Sequence, residues 1–167
     1  LKNLKINKKK FLYLISPIKI TELFYTELED ILKLGKVSFF QLRLKNKRFK
    51  NNLSIANKIK KICKKYKVKF IVNDDVMLAK KSNADGCHLG QKDMRISKAR
   101  KILKKKIIGI TCHNSIKLAK LAIKHNADYV AFGAFFFSKT KKAKFKTNIS
   151  LLKKAKRIIN APIVAIG

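Results

Sequence analysis

Four aspartates, Asp74, Asp75, Asp85 and Asp93, crowd into one short stretch of a 167-residue chain that holds only 9 acidic residues against 42 lysines and arginines. Acids retained in a lysine-saturated sequence usually have a task. Other polar islands sit in apolar, β-branched runs: Gln41-Leu42-Arg43-Leu44-Lys45, Thr111-Cys112-His113, and Gly133 to Lys141, which reads GAFFFSKTK. Arg43, Lys45 and Lys141, brought to a shared point, supply cationic donors that suit a diphosphate better than a neutral substrate. Asp74 and Asp93 supply hard oxygen ligands for Mg²⁺, which takes one or two carboxylates plus substrate phosphate oxygens. Cations and magnesium together stabilise a leaving diphosphate, whose negative charge grows as its bond breaks. The chemistry these residues suit is departure of pyrophosphate and capture of the group left behind.

Simpler uses compete for the same residues. Arg43 and Lys45 also fit ordinary surface cations in so basic a chain, and Ser138 and Thr140 fit a turn. An Asp before an apolar-periodic segment commonly caps a helix, and Asp75 is the member of its pair assigned to that use. Cys87-His88 and Cys112-His113 invite a zinc reading, but neighbours on a strand face opposite sides, so each dipeptide offers at most one inward ligand. His125 is read as a helix-end residue and Cys63 as core.

The elements that must position these groups alternate short β-branched runs with longer segments of helical period, the pattern of repeated βα units and a parallel sheet. Strands are predicted at Phe11–Ser16, Val37–Arg43, Lys69–Val72, Gly86–Leu89, Ile107–Thr111, Tyr129–Phe132 and Ile163–Ile166. Thr21 is predicted to cap a first helix carrying Glu22, Glu27 and Glu29 in its early turns. A second helix shows Ile55, Ile59, Ile62 and Tyr66 at spacings of three and four. Further helices are predicted at Val76–Lys81, Ser97–Leu103, Ser115–Lys124 and Asn148–Ile159. Spacing alone fits a doubly wound sheet or a barrel. Each polar island falls at the C-terminal end of a different strand, however, and groups so distributed converge when the sheet closes on itself, which favours a (β/α)8 TIM barrel.

A complete barrel typically needs roughly 200 residues or more. The expectation is therefore a single TIM-barrel domain over residues 1–167, truncated after the seventh strand and lacking the last helix and last βα unit. Its first and seventh strands would then be open edges, which favours self-association into a homo-oligomer.

The formal charge of +33 favours polyanionic partners. Arginine occurs only at positions 43, 48, 95, 100 and 157, whereas base and phosphate recognition leans on its rigid fork. The lysines spread over every helical segment as compositional bias does, so no specific nucleic acid is expected. Cys63, Cys87 and Cys112 form no C-x-x-C pair and fit a reducing cytoplasm. No apolar run approaches membrane-spanning length, so no membrane is expected.

Taken in order, Q-L-R-L-K at 41–45, F-I-V-N-D-D-V at 70–76, A-D-G-C-H-L-G-Q-K-D at 84–93, I-I-G-I-T-C-H at 107–113, A-D-Y-V-A-F-G at 127–133, S-K-T-K at 138–141 and P-I-V-A-I-G at 162–167 resemble thiamine phosphate synthases along nearly the whole chain. The resemblance implies a (β/α)8 barrel that couples hydroxymethylpyrimidine diphosphate to thiazole phosphate through a stabilised pyrimidine carbocation, with magnesium as cofactor. It places Gln41, Arg43, Lys45 and Asn73 on the pyrimidine diphosphate, and matches Asp74 and Asp93 to the magnesium ligands. It puts a hydroxyl, Thr111, where the family commonly has Ser. Ser138 and Thr140 match thiazole phosphate residues, Lys141 matches the lysine on the diphosphate, and Gly167 falls among the substrate-binding positions. Arg43, Lys45, Thr111 and Lys141 are the implied catalytic groups. Ala134 and Phe137 stand where the family normally has Pro. Two alternatives share the fold: a thiazole tautomerase-like barrel, and a catalytically inactive, truncated family member that binds phosphorylated ligands.

Overall fold

Strands that are buried on both faces need apolar side chains outward, against helices, and a second packed set inward. The computed structural model describes residues 11–44, 49–136 and 145–167, and within them that requirement sets the architecture. The elements run β1 (Leu12–Ile15), α1 (Leu23–Lys33), β2 (Val37–Leu42), α2 (Phe49–Lys65), β3 (Lys69–Asn73), α3 (Val76–Lys81), β4 (Gly86–Leu89), α4 (Ile96–Leu103), β5 (Ile107–Thr111), α5 (Ile116–Lys124), β6 (Tyr129–Gly133), α6 (Ile149–Ile158) and β7 (Ile163–Ile166). All seven strands are parallel and pair in chain order, forming a nearly closed barrel of the TIM type.

Alternation sorts the strand residues into two sets. Phe40, Leu42, Phe70, Val72, Cys87, Leu89, Ile108, Ile110, Val130 and Phe132 join the helices in the outer core, with Ala56, Ile59, Ile62 and Cys63 of α2 among them. The intervening residues fall in register across the inner face, Gln41 beside Ile71, His88 beside Gly109, and Gly109 beside Tyr129. β1 and β7 stand at the two ends of the sheet, and Phe11 and Leu12 are exposed there. No helix among the described residues is long and apolar enough to cross a membrane.

Three helices start on side-chain caps, with Asp75, Ser115 and Asn148 accepting the N–H of Leu78, Leu118 and Leu151. The first helix departs from expectation. It begins at Leu23 after Glu22, with no side-chain cap and no acid in its first turn, so Thr21 does not cap it. Its acids face α2 instead: Glu22 meets Lys58 at 3.4 Å and Glu29 meets Lys65 at 3.1 Å.

Two helix-to-strand junctions use the same three residues. After α3 comes Asn83-Ala84-Asp85 and after α5 comes Asn126-Ala127-Asp128. Each Asn takes the left-handed conformation, at φ 50° and 65°, which Asn tolerates better than most residues. The following Ala N–H closes the helix on Ala79 O or Ala122 O, both at 3.0 Å. Each Asp then grips the preceding strand at two points. Asp85 donates its N–H to Phe70 O and accepts the Phe70 N–H on its carboxylate at 2.9 Å. Asp128 does the same with Ile108, at 2.8 Å. A cation completes each clamp, Lys60 at 2.7 Å from Asp85 and Arg100 on Asp128. The Arg100 guanidinium also donates to the carbonyls of Lys104, Lys106 and Asn126.

Truncating Asp128 would orphan the Ile108 N–H and leave the largely buried Arg100 guanidinium without its carboxylate. Asp128→Ala is expected to cost about 2–3 kcal/mol, read as a lower urea midpoint at unchanged slope. Burial pushes the Asp85 carboxyl up, but the bonds from Lys60 and Phe70 N–H and the charges of Lys60 and Lys69 outweigh it and hold the group below the usual 3.8. Its contribution is therefore complete above that value and is lost as pH falls through the lower folded one. Asp85→Asn should flatten the acid limb of thermal stability between about pH 2 and pH 5, and an unchanged limb would show that the clamp does not titrate.

Candidate active site

The inner face of the barrel is not uniformly apolar. Gln41 of β2, buried, donates from Nε2 to the Tyr13 hydroxyl of β1 at 3.0 Å. The Tyr13 and Tyr129 hydroxyls lie 2.7 Å apart. Tyr129 lies 2.8 Å from His88 Nδ1, and His88 Nε2 lies 2.9 Å from Thr111 Oγ1. Five side chains from five strands thus form one hydrogen-bonded chain through the interior. Ring contacts reinforce it, His88 stacked on Tyr129 at 5.5 Å and Tyr13 on the neighbouring Phe39 at 5.7 Å. Gly109 makes this arrangement possible, because a Cβ there would fall 1.9 Å from Tyr129 Cζ.

Burial dominates the titration of these groups. It pushes Tyr13 up to about 12 against the opposing effect of its hydrogen bonds with Tyr129 and Gln41. Tyr129 rises well above its usual value for the same reason, with Tyr13 adding to the shift. His88 falls to about 4 because burial disfavours the imidazolium, the Asp93 charge opposing weakly. The imidazole is therefore neutral at physiological pH.

Above this layer lie the strand ends. Arg43 follows β2, and its backbone N–H donates to Ser16 Oγ at 2.9 Å, while Ser16 N–H returns to Gln41 O. These bonds stitch the ends of β1 and β2 together at Arg43. Asn73 closes β3, and its carbonyl accepts the Asp75 N–H at 2.7 Å. Between them Asp74 takes φ 64° and donates its N–H to His88 O at 2.8 Å. After β4 a tight turn lets Asp93 Oδ2 accept the Gly90 N–H at 2.6 Å. A side chain at position 90 would crowd that carboxylate, since its Cβ would lie 2.9 Å from Oδ2. Gln91 reaches from the same turn to Thr111 O at 2.5 Å. Asp74, Asp75 and Asp93 all act on one neighbour, the Cys87 thiol, which burial first and their charges second push upward. Asp75 is committed to capping α3.

The loop after β6 is held against the loop after β5. His113, at φ 53°, stacks on Phe145 at 4.3 Å, and Asn114 Nδ2 donates to Lys146 O. Ala134 and Thr147 exchange backbone bonds with this segment, Ala134 N–H to Phe145 O and Thr147 N–H to Ala134 O. Gly167, exposed, follows β7 near the Phe136 ring.

Of the expected site residues, Gln41 and Thr111 join the interior chain, and Arg43, Asn73, Asp74 and Asp93 occupy the ends of β2, β3 and β4. Lys45, Ser138, Thr140 and Lys141 lie outside the described residues. Sequence reasoning missed Tyr13 and Tyr129 and weighed His88 only as a metal ligand. The available signal was a glycine, Gly109, in an otherwise β-branched strand, which marks close approach by a neighbour. Among the described residues no group of three or more His, Cys, Asp or Glu side chains could hold a metal. Two carboxylates on adjacent strand ends nevertheless match the donor set that Mg²⁺ takes alongside phosphate oxygens.

Parallel βα units with charged and polar groups gathered at the C-terminal strand ends define a TIM-type barrel that carries its site on the usual face. A family model described as thiamine monophosphate synthase matches residues 12–167, and the chain belongs to that family. It is 62% identical over 168 residues to a thiamine-phosphate synthase of Pelagibacter ubique, spanning 100% of this chain and 81% of that protein. A thiamine-phosphate synthase of Erythrobacter litoralis is 42% identical over 161 residues, 93% of this chain and 76% of that one. Among solved structures, a thiamine phosphate pyrophosphorylase from Pyrococcus furiosus superimposes with a TM-score of 0.82 at 30% identity, covering 94% of this chain and 74% of its own.

The Gly109–Tyr129 fit is open to a direct check. Gly109→Ala forces the Tyr129 ring out of place and should destabilise the fold by about 1–3 kcal/mol; a melting temperature equal to wild type would mean the ring has room to spare.

Proposed function

We propose that this chain is a magnesium-dependent transferase that couples hydroxymethylpyrimidine diphosphate to thiazole phosphate, releasing pyrophosphate and forming thiamine phosphate in a reducing cytoplasm. The observation that carries this reading is the placement of Arg43, Asn73, Asp74, Asp93 and Thr111 at the ends of successive strands in a member of the thiamine monophosphate synthase family.

The roles follow from chemistry. The planar Arg43 fork binds diphosphate oxygens in parallel pairs, with Lys45 and Lys141 adding point charges. The carbon–oxygen bond to the diphosphate breaks with its electron pair leaving on oxygen, and these cations offset the charge that develops. The nitrogen lone pair of the thiazole then forms the new carbon–nitrogen bond. Gln41 and Asn73 orient the pyrimidine, and Ser138, Thr140 and Gly167 receive the thiazole phosphate. Asp74 and Asp93 would hold a magnesium ion that neutralises diphosphate oxygens. A tautomerase has no diphosphate to bind, and the presence of Arg43, Lys45, the Asn73-Asp74 pair and Lys141 in the sequence disfavours that alternative.

Magnesium-dependent pyrophosphate release from hydroxymethylpyrimidine diphosphate, with and without thiazole phosphate, tests the proposal. Release should require both substrates, and Asp74→Ala should lower it by about 100-fold or more in a chain that still folds. A folded wild-type chain that releases nothing, or an Asp74→Ala rate near wild type, would sink the mechanism.

A further inference from the structure

Residues 91–93, which carry the chain away from β4, are all exposed, so side-chain packing does not decide where their turn stands. Two bonds close the turn on itself: Asp93 donates its N–H to Gly90 O at 3.3 Å, and Asp93 Oδ2 accepts the Gly90 N–H at 2.6 Å. The second is charge-assisted, and it requires a residue without a Cβ at position 90, where one would lie 2.9 Å from Oδ2. These bonds give the turn its shape. They do not fix it sideways, although β4 holds one end and Met94, packed on the outer core, holds the other.

Gln91 supplies the sideways bond. The register of β4 on β5 runs from Gly86 beside Ile107 to Leu89 beside Ile110, and stops there. The next carbonyl of β5, Thr111 O, lies past that last pair, and Gln91 Nε2 donates to it at 2.5 Å. Chemistry settles the orientation of the amide, because a carbonyl only accepts and must face the NH₂ end. The side chain therefore adds one rung to the ladder after the backbone of β4 has turned away. Thr111 is itself in register with Ala131 of β6, so the rung refers the turn to a fixed strand. Asp74 is treated alike: its own N–H reaches across from β3 to His88 O of β4 at 2.8 Å. Each of the two carboxylates thus rides on a segment bonded to the next strand of the barrel.

We propose that Gln91 is a positioning residue whose amide pins the Gly90–Asp93 turn to β5 and so fixes how the Asp93 carboxylate is presented to a magnesium ion. The pinning stands on the geometry, whereas the ion rests on the proposed function. An exposed hydrogen bond adds little to global stability, but supports behind a metal ligand change metal affinity by about 10–100-fold. That disparity separates positioning from a merely structural role.

Gln91→Met keeps the length of the side chain and removes the donor. In the ligand-free protein, hydrogen exchange at the Gly90 N–H reports the turn directly, and the variant should exchange about tenfold faster. The Mn²⁺–pyrophosphate complex is the second probe, its binding read by the enhancement of water-proton relaxation. Gln91→Met should weaken that binding about tenfold or more, with the melting temperature lowered by less than about 4 °C. In coupling kinetics the Mg²⁺ concentration for half-maximal rate should rise, while kcat at saturating Mg²⁺ changes less than about twofold. Gln91→Ala should act in the same direction and serves if the methionine variant packs differently. Unchanged exchange at Gly90, wild-type affinity for the manganese complex, or a kcat that stays low at saturating Mg²⁺ would each overturn the role given to Gln91. If the wild type does not bind the manganese complex, the metal in the proposed function fails, while the exchange rates still decide whether Gln91 pins the turn.

Discussion

The Tyr129 hydroxyl bonds at 2.7 Å to Tyr13 and at 2.8 Å to His88, tying strands β1, β4 and β6 together through the middle of the sheet. A buried hydroxyl without a partner costs about as much as a lost core methylene or more, so this group constrains everything around it. Tyr13 must reach it from β1, which sets where that strand pairs on β2. Gly109 must be a glycine, since its hypothetical Cβ would overlap the ring. Ordinary barrels fill their interior with branched apolar side chains in layers. Here one layer is polar and fully interlinked, which gives a geometrically unique arrangement that an apolar filling would leave degenerate.

Acid placement is the second economy of the structure. With 9 acids against a charge of +33, repulsion between lysines acts against compactness, and the described acids stand where one carboxylate holds most. Asp85 and Asp128 each join a helix end, a strand start and a cation. Glu22 and Glu29 bridge two helices on the surface, where such pairs contribute little. Asp75 caps. Asp93 holds its own turn, accepting the Gly90 N–H at 2.6 Å.

Much of this could be read from the residues because parallel βα architecture imposes strong local signals. Val37–Leu42 and Ile107–Thr111 are β-branched or aromatic runs of strand length, and the structure moves their predicted bounds by one residue at most. Asp75 precedes an apolar-periodic segment and does cap it. Thr21 failed as a cap because tertiary contact decided otherwise: the chain enters α1 with Glu22 already helical, at φ −64° and ψ −38°, and no side chain completes the turn. The interior hydrogen-bonded chain was hidden for a different reason. Tyr13, His88 and Tyr129 lie up to 116 residues apart, and nothing local distinguishes an inward tyrosine that bonds another hydroxyl from one that lines a core. Only the register of the sheet brings them to one layer.

His88 links that layer to the strand ends in two independent ways. Its ring meets Thr111, while its carbonyl accepts the Asp74 N–H at 2.8 Å. Asp74 needs that bond, because φ 64° is a conformation L-residues rarely adopt, tolerated by Asp at a modest cost. The peptide that follows the buried imidazole therefore also holds the acid in its unusual turn. Displacing the ring would move the carbonyl with it, since a strand residue packed on both sides has no slack to absorb the change. Hydroxyl and carboxylate, at the ends of different strands and with different chemistry, are thus both held by a single buried residue.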